Sequence, residues 1–146
     1  MRIGNTVYDY GEWNGGYGKN SFGVAGNGIV LKFSGKDADN YISNRSKLYA
    51  TVSHNVTGLN TSAMVGYYEG LINSGQVVYI NDPVGRMTNT GVRVDTYNLI
   101  GNQCATKVTQ ALQIGGAPYI PPNYSMSPIG INSYLNALEL MNRMNY

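Results

Sequence analysis

Residues 97–106 read YNLIGNQCAT. They overlap the end of VRVDTYNLI at 92–100, where Val92, Val94, Thr96 and Asn98 alternate with Arg93, Asp95, Tyr97 and Leu99. That period of two is the pattern of a half-buried strand. Beyond them comes ATKVTQALQ, in which Val108, Ala111 and Leu112 recur at helical spacing, and Gly115-Gly116 marks the helix stop. A strand therefore turns within a few residues into a helix, and the turn carries the only cysteine of the chain, Cys104.

Working outward, the same two periods alternate along the chain. IGNTVYDYGEW turns at Gly4-Asn5 and then reads as a strand, with Val7, Asp9 and Gly11 on one face and Tyr8 and Tyr10 on the other. Residues 14–28 carry six glycines and read as a long loop. GIVLKFS is a second strand, KDADNYISN a short helix or turn, and LYATVS at 48–53 a third strand. Asn60 or Thr61 caps a helix through SAMVGYYEGLINSG, and QVVYI is a short strand or an extended lead into the turn NDPVG. APYIPPNYSMSP is irregular. The last helix starts at Ser127-Pro128 or restarts at Asn132-Ser133, with Leu135, Leu138, Met141 and Met144 as its apolar face. Strands come first and helices later, which predicts an α+β fold with an antiparallel sheet.

The 146 residues amount to a single domain, 1–146, able to bury a substantial core. Charged residues are only 12% against 42% hydrophobic, and the aromatic content argues against disorder. The net charge of +2 comes from scattered Lys and Arg, so no basic patch offers a nucleic-acid footprint. No apolar run approaches the length of a membrane span, and MRIGNTVYDYGEW has no apolar core of a signal peptide. One cysteine excludes an internal disulfide, and one histidine beside it argues against a Cys/His zinc site. No metal or cofactor is expected. The glycine loop lacks both phosphate-cradle spacings, and Asp37, Asp39, Asp82 and Asp95 lack calcium-loop spacing.

Two readings of Cys104 stand side by side. A free cysteine is commonly a small buried hydrophobe. In the first turn of a helix, however, it sits among unpaired backbone N–H groups and the positive end of the helix dipole. Both favour the thiolate, and the same N–H groups can hold an oxyanion when a carbonyl is attacked. Such chemistry also needs a base for the thiol proton. Trp13, Tyr17 and Phe22, beside the glycine loop, are candidates to line a substrate groove.

Tyr97-Asn98-Leu99 followed by Asn102-Gln103-Cys104 and a helix ending in Ala111-Leu112 resembles the permuted branch of the papain-like, NlpC-type amidases and peptidases. The order IGNTVYDYGEW, GIVLKFS, LYATVS, YYEGLI, YNLIGNQC and SPIGINSYLNALE is similar to C-terminal domains of Rhs-repeat toxins and type VI secretion effectors. The resemblance implies a papain-like antiparallel sheet packed on a central helix that carries the nucleophile, Cys104. It implies a cysteine-dependent hydrolase or acyltransferase acting on a peptide-type amide, in cell-wall peptide or in a protein. It also implies delivery by a secretion system and an immunity protein as partner. Asp9, in VYDYG, matches an acidic position that orients the base or binds substrate; as a bare residue it is a turn-end or edge-strand carboxylate.

The chain departs from the family at one place. The family's histidine lies on a strand just ahead of the element matched by IGNTVYDYG, where this sequence has Met1-Arg2-Ile3. Its single histidine, His54, falls after LYATVS and reads as a solvated surface residue. Three readings follow: a histidine strand lies upstream of this sequence, the fold has become a non-catalytic binding module, or His54 reaches Cys104 by an unusual geometry.

Overall fold

The computed structural model describes residues 1–13, 25–80 and 87–144. The glycine-rich loop with Tyr17 and Phe22, the turn NDPVG and Asp82 lie outside the described residues. Five strands, β1 (Arg2–Ile3), β2 (Thr6–Glu12), β3 (Ala25–Ser34), β4 (Gln76–Tyr79) and β5 (Thr90–Asn98), form one antiparallel sheet in the order β1-β2-β3-β5-β4. With them stand α1 (Lys36–Leu48), α2 (Thr61–Ser74), α3 (Cys104–Ile114), the short α4 (Pro122–Ser125) and α5 (Pro128–Met144). The fold is α+β, as the element order predicts.

The alternation of β2 decides which helix covers which face. Val7 pairs with Phe33, Asp9 with Leu31 and Gly11 with Ile29. Val7, Ile29, Leu31 and Phe33 pack with Ala38 and Tyr41 of α1, and the Phe33 and Tyr41 rings stack at 4.2 Å. On the other face Tyr8, Tyr10 and Val30 pack with Met64 and Tyr68 of α2, Ala105 and Leu112 of α3, and Leu138 of α5. Tyr8 stacks on Tyr68 at 4.6 Å, a contact worth about 0.5–1.5 kcal/mol beyond the area it buries. The sheet is thus covered on both faces, by α1 on one and by α2, α3 and α5 on the other.

The helix caps follow the sequence. The Asn60 side chain accepts from the Ala63 N–H at 3.0 Å, and the Ser127 hydroxyl accepts from the Gly130 N–H at 3.0 Å with Pro128 in the first turn of α5.

Two expectations are corrected. LYATVS is not a strand: α1 runs through Leu48, and residues 49–60 form neither helix nor strand. The helix extends because Asp37 and Asp39 in its first turn and Arg45 and Lys47 in its last suit its dipole, while Ala38 and Tyr41 anchor it. The apolar residues that suggested a strand find no face to cover, with Tyr49 54% and Val52 73% exposed. In α5 the expected face holds in its first half, where Leu138 is buried and Leu135 packs against the core beside the buried Ile131 and Tyr134, but Met141 and Met144 are exposed.

Candidate functional site

Cys104 is the first residue of α3. The turn that brings it there is pinned to β5. Asn98 and Asn102 exchange two backbone hydrogen bonds of 2.9 and 3.0 Å, and the Asn102 side-chain amide donates to the Thr96 carbonyl at 2.7 Å. Gln103 caps the helix and is buried. Its Oε1 accepts from the Ala105 N–H at 3.4 Å and faces the Cys104 Sγ at 3.6 Å.

The thiol is half-buried, and opposing effects act on it. Burial pushes its pKa up, and the charge of Asp9 adds to that. The backbone N–H groups of Ala105 and Cys104 pull it down, but burial wins. The helix start therefore offers the expected N–H donors without making the thiol acidic.

Asp9 does not meet the thiol. It lies mid-strand on the α1 face, where its Oδ2 accepts from the Tyr41 hydroxyl at 2.5 Å, whereas α3 packs on the Tyr8/Tyr10 face. Asp9 reaches Cys104 only as a charge.

His54 is not a solvated surface residue. Its side chain is only 8% exposed, its Nε2 lies 2.6 Å from Oδ1 of Asn132, and its Nδ1 lies 3.5 Å from Oε2 of Glu139. Both partners are on α5, and neither ring nitrogen is turned to the thiol. The surface reading failed because segment 49–60 passes from α1 on one face of the sheet to α2 on the other, and so buries its histidine where it rounds the β1 edge. Trp13 packs beside the α1 core, with the Arg45 guanidinium 5.5 Å from its ring centroid.

A polar cluster that the sequence reading passed over fixes α3 to the sheet. The Lys107 ammonium lies 2.6 Å from Oδ2 of Asp95, and the Tyr10 hydroxyl donates to Oδ1 of the same carboxylate at 2.6 Å. Lys107 is buried, with its ammonium 5.2 Å from the Tyr10 ring centroid. The signal was available: Asp95 shares a strand face with Tyr97, and Lys107 sits four residues before the core residue Ala111. Opposite charges on two apolar faces point to each other. A second cluster joins Glu69 to Lys32 at 2.7 Å and to the Tyr8 hydroxyl at 2.5 Å.

A cavity of about 930 Å³ opens at the β1 edge, between segment 49–60, α1, α3 and α5. Asp9, His54 and Glu139 are among its lining residues, as are Val108 and Leu112, but Cys104 is not. Among the described residues no group of three His, Cys, Asp or Glu side chains could hold a metal, and no helix is long and apolar enough to cross a membrane. No family model, curated protein or solved structure matches this chain.

Proposed function

We propose that this domain is a cysteine-dependent hydrolase or acyltransferase acting on a peptide-type amide, with Cys104 as nucleophile and a papain-like arrangement of sheet and helix. The observation that carries the reading is the setting of Cys104. It heads α3, the N–H groups of residues 104 and 105 are turned to its sulfur, and the amino end of β1 comes within electrostatic reach. Met1 and Ile3 both belong to the core on the α3 face. A histidine borne on this edge strand would approach the thiol from the side on which the resemblance expects it. The thiolate would attack the amide carbonyl, the imidazolium would give its proton to the departing amine, and water or another amine would release the acyl group. A toxin or effector role, delivery by a secretion system and a matching immunity protein belong to the same proposal and rest on the resemblance alone.

The test is a Met1→His variant placed behind a new initiator methionine. The expected result is a thiol that alkylates faster at neutral pH, together with a covalent acyl adduct from an activated peptide ester that Cys104→Ala abolishes. Unchanged thiol reactivity, with no adduct, would refute the reading.

A second reading, a non-catalytic binding module on the same fold, is favoured by two observations. Burial holds the thiol protonated, and the single histidine is engaged by Asn132 and faces Glu139. It expects Cys104→Ala to leave ligand binding intact.

A further inference from the structure

We propose that the cavity at the β1 edge binds an aliphatic monocarboxylate, with its anionic head on the Arg45 guanidinium and its chain against the apolar wall of α3 and α5. This site does not use the thiol and stands or falls separately from the hydrolase reading.

Arg45 stands in the last turn of α1 and lines the cavity. Its guanidinium carbon lies over the Trp13 ring at 5.5 Å and over the Tyr49 ring at 4.4 Å from the centroids. Ring-face contacts hold the group in place but consume none of its N–H bonds. Among the described residues no carboxylate, carbonyl or hydroxyl accepts from it, and its nitrogens are not among the buried atoms that lack a partner. They are therefore open to a ligand. The cavity's other arginine and its two carboxylates are committed. Arg2 is paired with Asp39 at 2.7 Å, Glu139 with Arg143 at 2.9 Å, and Asp9 accepts from the Tyr41 hydroxyl at 2.5 Å. Arg45 is left as a permanent cation with no anion of its own among the described residues.

The rest of the cavity selects what accompanies the anion. Met64 of α2, Val108 and Leu112 of α3 and Leu135 of α5 give an apolar wall, and Val56 and Leu59 of segment 49–60 continue it. All of these belong to the core on the α3 face or pack against it. Arg45 comes from α1, which covers the other face of the sheet. The cavity thus carries its cation at one end and hydrocarbon at the other, and its volume of about 930 Å³ is that of a small-molecule site. A planar carboxylate matches the fork of guanidinium N–H groups and brings the missing charge. An alcohol brings no charge, and an amine would meet a like one.

The test is calorimetric titration of the whole chain with octanoate below its micelle concentration, with butanoate, hexanoate and 1-octanol run alongside. The methyl resonances of Val108 and Leu135 report where the chain lies. The expected result is saturable octanoate binding that shifts those methyls and tightens about three- to fourfold per added methylene from butanoate to octanoate. Octanol should bind at least about tenfold more weakly because it lacks the charge. Arg45→Gln should weaken octanoate by a similar factor and leave octanol unchanged, while Arg2→Gln, which removes a cation already paired, should retain octanoate. Equal binding of octanoate and octanol to the parent chain would mean an apolar pocket only and would overturn the proposal. So would the absence of saturable binding, a series flat in chain length, or equal losses in Arg45→Gln and Arg2→Gln.

Discussion

Gly28 is the position where a single methyl group tests how α3 is held. In β3 it pairs with Glu12 on one side and Asp95 on the other, at the point where the β3–β5 register shifts. A Cβ built there would lie 2.1 Å from Oδ1 of Asp95 and 2.3 Å from the Tyr10 hydroxyl. Those atoms are the two ends of the Tyr10–Asp95 hydrogen bond, and the same carboxylate neutralises buried Lys107. Gly28→Ala must therefore push the pair apart. Losing a hydrogen bond to a charged group costs about 1.5–3 kcal/mol. Weakening the Lys107 pair adds to this, but less than the full cost of a broken buried pair, because Asp95 is 27% exposed and water can reach it. The reduced freedom of the unfolded alanine chain offsets about 0.4–1 kcal/mol. The net expectation is a loss of about 1–3 kcal/mol in urea unfolding followed by circular dichroism, with an unchanged denaturant slope. Gly66 in α2 is the control: a Cβ there meets nothing within 4 Å, so Gly66→Ala should stabilise by up to about 1 kcal/mol. A Gly28→Ala variant within about 0.5 kcal/mol of the parent would refute the notch and, with it, the account of how α3 is fixed.

Other outcomes follow from the same contacts. Alkylation of Cys104 should rise with pH to a midpoint above the free-thiol value of about 8.5, because burial outweighs the helix-start N–H groups; a midpoint below that value would contradict the balance. Glu69 has its pKa lowered, first by hydrogen bonding to Lys32 and then to Tyr8. A depressed carboxylate stabilises the fold above its unfolded pKa and loses that contribution as the pH falls through the folded value. Glu69→Gln should therefore flatten the stability profile on the acid side of about pH 4.5 and nowhere else, as read by thermal melts across pH. Asn60→Ala removes the α2 cap and should cost about 1 kcal/mol, seen as faster hydrogen exchange in the first turn of α2.

The parts of the fold legible in the sequence were those with an undisturbed period. The strand alternation of Val7, Asp9 and Gly11 against Tyr8 and Tyr10 was realised residue for residue, because a register slip would have sent every tyrosine to the wrong face. The caps at Asn60 and Ser127 were legible because a side chain beside a helix start acts locally. LYATVS misled because local β propensity says nothing about whether a sheet edge is available to receive it. The candidate site was legible at Cys104, where strand, turn and helix are contiguous. It was not legible at His54, whose partners Asn132 and Glu139 lie about 80 residues along the chain. The Asp95–Lys107 pair left a signal, opposite charges on two apolar faces, but the sequence pattern does not say that those two faces meet.

The separation of Asp9 from Cys104 carries the last prediction, because it divides two roles that the resemblance had joined. A base arriving on β1 from the α3 side would need its orienting group on that same side, next to Met1 and Ile3. Asp9 projects to the other side and is held by Tyr41. Two carboxylates on the α3 side are committed elsewhere, Asp95 to Lys107 and Tyr10, and Glu69 to Lys32 and Tyr8. Asp9 should then influence the thiol only through its negative charge, which disfavours the thiolate. Removing that charge has a definite sign: Asp9→Asn should lower the Cys104 pKa and speed alkylation at a fixed pH near neutrality. An orienting residue would behave oppositely, its loss slowing the thiol. Alkylation rates of parent and Asp9→Asn measured side by side decide between them, and a slower variant would restore Asp9 to the catalytic role that its place on the sheet argues against.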